Sequence, residues 1–361
     1  MPKLSLNWLL PLVPLAILLD WLVPERHTLV FFVAGVAIVP LAGWMGKATE
    51  HLADKTGEGI GGLLNATFGN LAEIIIAIMA LRAGLTEIVK ASLTGSIIGN
   101  VLLVLGVSML GGGLKFDVQK YNPAGARTRA TTLTLAGIAL VAPAAYHHLA
   151  GSRAAASEGQ LSLAIAIVLI VTYGLSLLFS LQTHPGYFTR AASEAALVDP
   201  EHGGSWSVGK SLGILAGATA LVSWLAHVLV GVVEPTAEQL GMTEVFVGVM
   251  IVAVVGNAAE HSTAILMAIE DRMDLSLGIA IGSSTQIALF AAPLLVFLSY
   301  GIGPAPMDLV FTPAEVLAVV LSVFIVSMVA EDGESNWLEG VQLLAVYLIL
   351  GILFYFLPVG A

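Results

Sequence analysis

Eleven stretches of this chain are apolar and long enough, or nearly so, to cross a lipid bilayer. They lie near 4–23, 29–46, 60–82, 90–112, 130–149, 161–181, 208–233, 243–269, 275–300, 309–330 and 337–357. A hydrocarbon core about 30 Å thick takes roughly 20 apolar residues as helix. Within it every backbone N–H and C=O must be satisfied internally, which leaves a helix bundle and excludes an open sheet. The expected fold is therefore all-α and polytopic. The opening MPKLSLNWLLPLVPLAILLDWL has prolines through its apolar run and no small-residue cleavage pattern after it. It reads as a retained first helix and not a signal peptide.

Composition narrows the function classes. Only 11% of the residues are charged, against about one quarter in a soluble domain. A net charge of −11 argues against a nucleic-acid partner. With no cysteine, disulfides, thiolate metal sites and thiol catalysis are excluded. With eleven spans the connecting loops alternate sides. Lys3, Lys47, Lys55, Lys115, Lys120, Arg127, Arg129, Arg190, Lys210 and Arg272 fall on the side of the N-terminus, and Arg26, Arg82, Lys90 and Arg153 on the other. Basic residues gather on the cytoplasmic face, so the N-terminus is expected inside and the C-terminus outside.

Two glutamates occupy apolar surroundings, Glu73 in GNLAEIIIAI (69–78) and Glu260 in GNAAEHSTAI (256–265). An ionisable residue at bilayer depth is costly and marks a functional site by default. An offset of 187 carries Gly69-Asn70 onto Gly256-Asn257, Glu73 onto Glu260, and Gly95-Ser96 onto Gly282-Ser283 without a gap. The chain thus reads as a first helix (1–25), a repeat of five spans (26–181), a weakly acidic cytoplasmic linker (182–207) and a second repeat of five (208–361). Five is odd, so the second repeat enters from the opposite side. Transporters with such inverted repeats bind ions near the midplane, between broken helices.

The residue types at the repeat suit a hard cation. Asn70 and Glu73 are three apart and share a helix face, as do Asn257 and Glu260. The glycines lower helix stability by about 1 kcal/mol each relative to alanine and mark places where the helix could kink or open. Ser96 and Asn100 stand four apart, Ser283 and Gln286 three apart, so each pair is expected to share a face and supply further oxygens. Calcium takes six to eight oxygens in flexible geometry, whereas magnesium demands an octahedron. The empty pair of carboxylates would be penalised by desolvation and by like-charge repulsion, both of which favour protonation. One site can therefore serve cation and proton in turn.

These phrases closely resemble the Ca²⁺/H⁺ antiporter (CAX) family of the cation/Ca²⁺ exchanger superfamily. The resemblance is carried by LLNATFGNLAEIIIAI (63–78), TGSIIGNVLLVLG (94–106), VVGNAAEHSTAI (254–265), GSSTQIALFAAP (282–293) and ESNWLEG (334–340). It implies eleven spans with an inverted five-plus-five core, and Ca²⁺/H⁺ exchange by alternating access. Glu73 and Glu260 would be the shared calcium and proton sites, with Asn70, Asn257, Ser96, Asn100, Ser283 and Gln286 lining the path. His261, directly after Glu260, looks like this family and unlike the sodium/calcium exchangers; it either gates or tunes protonation or simply faces a neighbouring helix. The strongly acidic helix that relatives carry between the halves is reduced here to Glu194, Asp199 and Glu201, diluted by Arg190. The short N-terminus lacks the inhibitory tail of plant relatives and fits a prokaryotic inner membrane.

Other readings are weaker. A Na⁺/Ca²⁺ exchanger of the same superfamily and a cation channel are the alternatives. No cofactor and no enzymatic activity are expected; partners are Ca²⁺, H⁺ and membrane lipid. Residues 204–211, GSWSVGKS, match the phosphate-loop pattern but follow no buried strand, so no nucleotide is expected. His147 and His148 are adjacent on a helix and point apart. Glu331, Asp332, Glu334 and Glu339 sit at an expected cytoplasmic mouth, either gathering cations or capping a solvated helix end.

Overall fold

The computed structural model describes residues 6–56, 61, 63, 64, 67–151, 157–184 and 206–358. Among them, eight helices are long and apolar enough to cross a membrane. These are α2 His27–Thr56, α4 Thr86–Gly113, α5 Pro123–Ala150, α6 Glu158–Thr183, α7 Val208–Gly231, α9 Glu244–Ile269, α10 Met273–Ile302 and α12 Trp337–Phe356. The helices α1 Leu12–Leu22, α3 Leu71–Arg82 and α11 Pro313–Val329 are shorter and apolar. Each of the eleven expected spans holds one of these helices. The polar α8 Val233–Leu240 lies between α7 and α9. The only strands among the described residues are β1 Gln119–Lys120 and β2 Glu334–Ser335, paired antiparallel with Gln119 opposite Ser335. The acidic linker residues Glu194, Asp199 and Glu201 lie outside the described residues.

Local chemistry places the helix starts. Thr312 and Glu315 form a reciprocal capping box at α11, with Pro313 at its first position, and Asn336 and Glu339 form another at α12. Asn122 accepts from the backbone of Ala124 and Gly125 at the head of α5, and Thr243 from Phe246 at the head of α9. Each satisfies N–H groups that a helix leaves unpaired in its first turn.

The repeat seen in the sequence extends to the backbone. Helix α3 ends at Arg82 and α9 at Ile269; α4 starts at Thr86 and α10 at Met273. Both ends are 187 residues apart. The turns between them close alike: Leu85 N–H bonds Ala80 O and Arg272 N–H bonds Met267 O, each at 2.9 Å. The left-handed residue in these turns is Gly84 (φ 84°) in one copy and Asp271 (φ 61°) in the other. Further along, both second helices widen into a π-helical stretch, Gly99–Val104 in α4 and Ile287–Ala291 in α10. Such bulges are frequent at functional sites.

Two compact units divide the chain: residues 1–92 with 204–259, and 93–203 with 260–361. Each draws on both halves of the sequence. In the first, α2 packs along α7, and Phe31, Ala34 and Ile38 of α2 and Leu225 of α7 are buried. In the second, α4 and α12 meet backbone to backbone. A methyl group on Gly340 would stand 2.4 Å from Leu110 N, and one on Gly113 2.4 Å from Trp337 N. Small residues are the usual means of bringing apolar helices this close without a hydrophobic driving force.

The strand pair closes one end of the second unit. Tyr121 N–H bonds Gly333 O at 2.9 Å and its hydroxyl donates to Val329 O at 2.7 Å. Burial, with Asp332 and Glu339 nearby, pushes the Tyr121 phenol above its usual range, so this donor persists at any physiological pH. The acidic run expected at a mouth is engaged here. Glu334 meets Lys120 at 3.2 Å, Glu331 meets Arg127 at 4.0 Å, and Glu339 caps α12.

Candidate cation site

Glu73 lies in the first turn of α3, with Asn70 at the N-cap position and only 4% exposed. A carboxylate is favoured there by the positive pole of the helix. Asn257, 2% exposed on α9, donates its amide N–H to Glu73 Oε1 and also bonds Ala253 O at 2.9 Å. Asn257 and Glu260 stand three apart on the same helix, as expected from their spacing, and the Asn257 side chain also serves the glutamate of the other repeat.

Gly256 has a different job from the one expected. Helix α9 is α-helical without a break from Ala253 to Ile269, so it does not open at Gly256. A methyl group at Gly256 would stand 2.9 Å from Glu73 Cγ. The glycine therefore makes room for the carboxylate that its neighbour Asn257 holds. Gly69-Asn70, by contrast, does form a turn just ahead of α3.

Glu260, partly buried on α9, accepts a hydrogen bond from the hydroxyl of Ser283 on α10. Ser283 is 7% exposed. Each repeated carboxylate thus accepts from a neutral donor, an amide at Glu73 and a hydroxyl at Glu260. Glu73 belongs to the first unit, Glu260 to the second.

A further pair in the second unit joins two predicted residues. His261 Nε2 lies 2.9 Å from Asn100 Oδ1, and both side chains are buried. Asn100 sits in the π-helical stretch of α4. The offset of 187 takes His261 to Ile74 and Asn100 to Ile287. This polar pair therefore breaks the repeat, its image being two isoleucines. Nor is Asn100 the counterpart of Gln286, which maps onto Gly99. Ser96 is buried on α4, and Gln286 is partly buried just before the π-helical stretch of α10.

Sequence reasoning missed one buried acid. Glu315 is 1% exposed; its Oε2 accepts from the backbone and hydroxyl of Thr312, and its Oε1 from Thr94 of α4 at 3.3 Å. The signal was present as the capping-box spacing Thr312–Glu315, which reveals the cap but not the link to α4.

Among the described residues, no three His, Asp or Glu side chains are grouped to hold a metal. A cation bound here would rely on isolated carboxylates supplemented by amide, hydroxyl and carbonyl oxygens, a calcium-like donor set. His147 is engaged with Glu158 at 2.6 Å. In the phosphate-loop match, Ser207 simply caps α7 and Lys210 Nζ lies 4.5 Å from the centre of the Trp206 ring; Gly204 and Ser205 lie outside the described residues.

These features define a polytopic helical membrane protein with an internal repeat and one carboxylate per repeat. The chain belongs to the sodium/calcium exchanger protein family, whose model matches residues 26–182 and 210–356, and within it to the Ca²⁺/H⁺ antiporter branch that its motifs resemble. A Ca²⁺/H⁺ antiporter of Aphanothece halophytica is 45% identical, the match covering 97% of this chain and 96% of the relative. The Ca²⁺/H⁺ antiporter ChaA of Bacillus subtilis is 44% identical, over 96% of each. Among solved structures, native YfkE superposes with a TM-score of 0.83 at 40% identity, covering 98% of this chain and 100% of that one. The H⁺/Ca²⁺ exchanger CAX, at 16% identity, shares the fold with a TM-score of 0.69 over 97% of this chain and 91% of its own.

Proposed function

We propose that this chain exchanges Ca²⁺ for H⁺ across a membrane by alternating access, with Glu73 and Glu260 binding the metal and protons competitively. The observation that carries this reading is the repeated carboxylate held by a neutral donor, Asn257 at Glu73 and Ser283 at Glu260. A neutral donor orients the carboxylate without cancelling its charge, leaving it able to exchange a divalent ion for a proton. Asn70, Ser96, Asn100 and Gln286 add oxygens along the path, and His261 tunes it through Asn100. The names of the relatives at 44–45% identity support the choice of ions.

Energetics favour more than one proton per calcium. Expelling Ca²⁺ against about 100 mV costs roughly 4.6 kcal/mol for two charges, and one entering proton returns about 2.3 kcal/mol. Two carboxylates can carry two protons. The N-terminus and the 182–207 linker face the cytoplasm in this reading, and the cell membrane of a prokaryote is the setting.

Purified protein in proteoliposomes with an imposed pH gradient tests the proposal. Calcium uptake should follow the proton gradient and persist without sodium. Uptake that ignores protons and follows sodium would identify the sodium-driven alternative instead.

A further inference from the structure

We propose that Gln119 and Asp271 are positioning residues for the exchange site, gripping α9 by its carbonyl end and so setting where Glu260 and His261 stand. The inference rests on the exchange reading above for its functional consequence, and on the geometry alone for the grip. Gln119 is 1% exposed. Its Nε2 donates to Ala268 O at 2.8 Å and to Asp271 Oδ1 at 3.0 Å. Lys115 Nζ, from the same segment, donates to Ile269 O at 3.0 Å. These are the last carbonyls of α9, at the negative pole of the helix, which attracts cations; Ala268 O also accepts from Asp271 N–H at 3.1 Å.

The backbone supplies an independent sign. Asp271 is the only non-glycine residue with positive φ among the described residues. Its repeat counterpart is Gly84, in a turn closed by the same hydrogen bonds. Glycine would be the easier choice in both copies. Only the copy facing Gln119 keeps a carboxylate, and that carboxylate accepts from Gln119. A less favourable backbone conformation retained in one copy of a repeat points to a task for its side chain.

Gly112 adds a third observation. A methyl group there would stand 1.9 Å from Gln119 Oε1 and 2.9 Å from Ala268 O. The end of α4, strand β1 and the end of α9 thus converge on one point. Helix α4 carries Asn100, and α9 carries its partner His261. From Ala268 back to Glu260 is eight residues, about 12 Å of continuous helix. A displacement at the carbonyl end is therefore passed along α9 to the carboxylate.

Asp271→Gly separates positioning from simple stability, because it relaxes the backbone while removing one of the two acceptors of Gln119. The full chain should melt at or above the wild-type temperature. Its KM for Ca²⁺ should nevertheless rise roughly three- to tenfold, the effect of about one hydrogen bond, with maximal velocity little changed. Gln119→Leu, which keeps the volume and loses both donated bonds, should raise KM as much. In both variants the amides of residues 264–269 should exchange with deuterium faster than in wild type. Unchanged KM and unchanged hydrogen exchange in both variants would overturn the proposal, as would a loss of stability with KM unchanged. If wild-type protein fails to exchange Ca²⁺ for H⁺, the functional reading falls, and the hydrogen exchange still decides whether the grip exists.

Discussion

At the scale of single residues, the two glutamates were legible because apolar flanks make a carboxylate conspicuous, and the repeated Gly-Asn made the pair more so. What surrounds them was less legible. Spacing along α9 puts Asn257 on one face with Glu260 but carries no sign that its amide reaches Glu73 on another helix. Gly256, read as a place where the helix opens, is there because Glu73 Cγ occupies the space of a side chain. Both features depend on a neighbouring helix that one-dimensional periodicity does not contain. In the exchange reading, Glu73→Gln and Glu260→Gln should each abolish proton-driven calcium uptake in proteoliposomes; full activity in either would sink the shared-site proposal. Gly256→Ala should displace Glu73 and lower uptake at least about tenfold, since a contact this close forces a shift in a packed interior. Uptake at the wild-type rate would show that the glycine is dispensable.

At the scale of elements, apolar length located a helix in each of the eleven expected stretches, eight of them long enough to cross a membrane, and the capping residues Asn122, Thr243, Thr312 and Asn336 stand where the helices begin. The π-helical stretches had no signal in the sequence. A π-helical turn differs from an α-helical one by a single extra residue per turn, and no residue type demands it. The contact of α4 with α12 is likewise a property of two surfaces meeting at Gly113 and Gly340. Gly340→Ala tests it directly: the added methyl meets the backbone of Leu110, which cannot rotate away. Thermal unfolding in detergent should show a loss of about 1–3 kcal/mol, the usual cost of overpacking. Gly46, which has no neighbour within 4 Å of the corresponding position, is the control, and Gly46→Ala should leave the melting temperature unchanged.

At the scale of the whole molecule, the repeat is the organising fact. It is visible in residues 69–78 and 256–265, and it continues into helix ends, turns and π-helical stretches. It is also incomplete, for His261 and Asn100 have isoleucines as their images. A carrier that takes calcium from one side and protons from the other has no need of two identical halves, and this pair is one place where they differ in chemistry. Proton competition belongs to this scale. In the exchange reading, protonating Glu73 and Glu260 removes the charge proposed to bind calcium, so lowering pH on the loading side should raise the apparent KM for Ca²⁺, and raising pH should lower it. Initial rates at several pH values would check the direction; an apparent KM that does not move with pH would mean that the two ions do not share a site.

The sequence by itself determined that the chain is a membrane helix bundle with a duplicated acidic motif. Apolar length, buried charge and internal repetition are all written along one dimension, and the bilayer punishes any alternative. Tertiary structure alone decided which donor serves which carboxylate, that Glu315 is buried against Thr94, and that Gln119 grips the end of α9. Those are contacts between residues some 150 to 220 positions apart. They are fixed by how closely two helix surfaces can approach, and that depends on the absence of a methyl group at a few glycines more than on any pattern within a single helix.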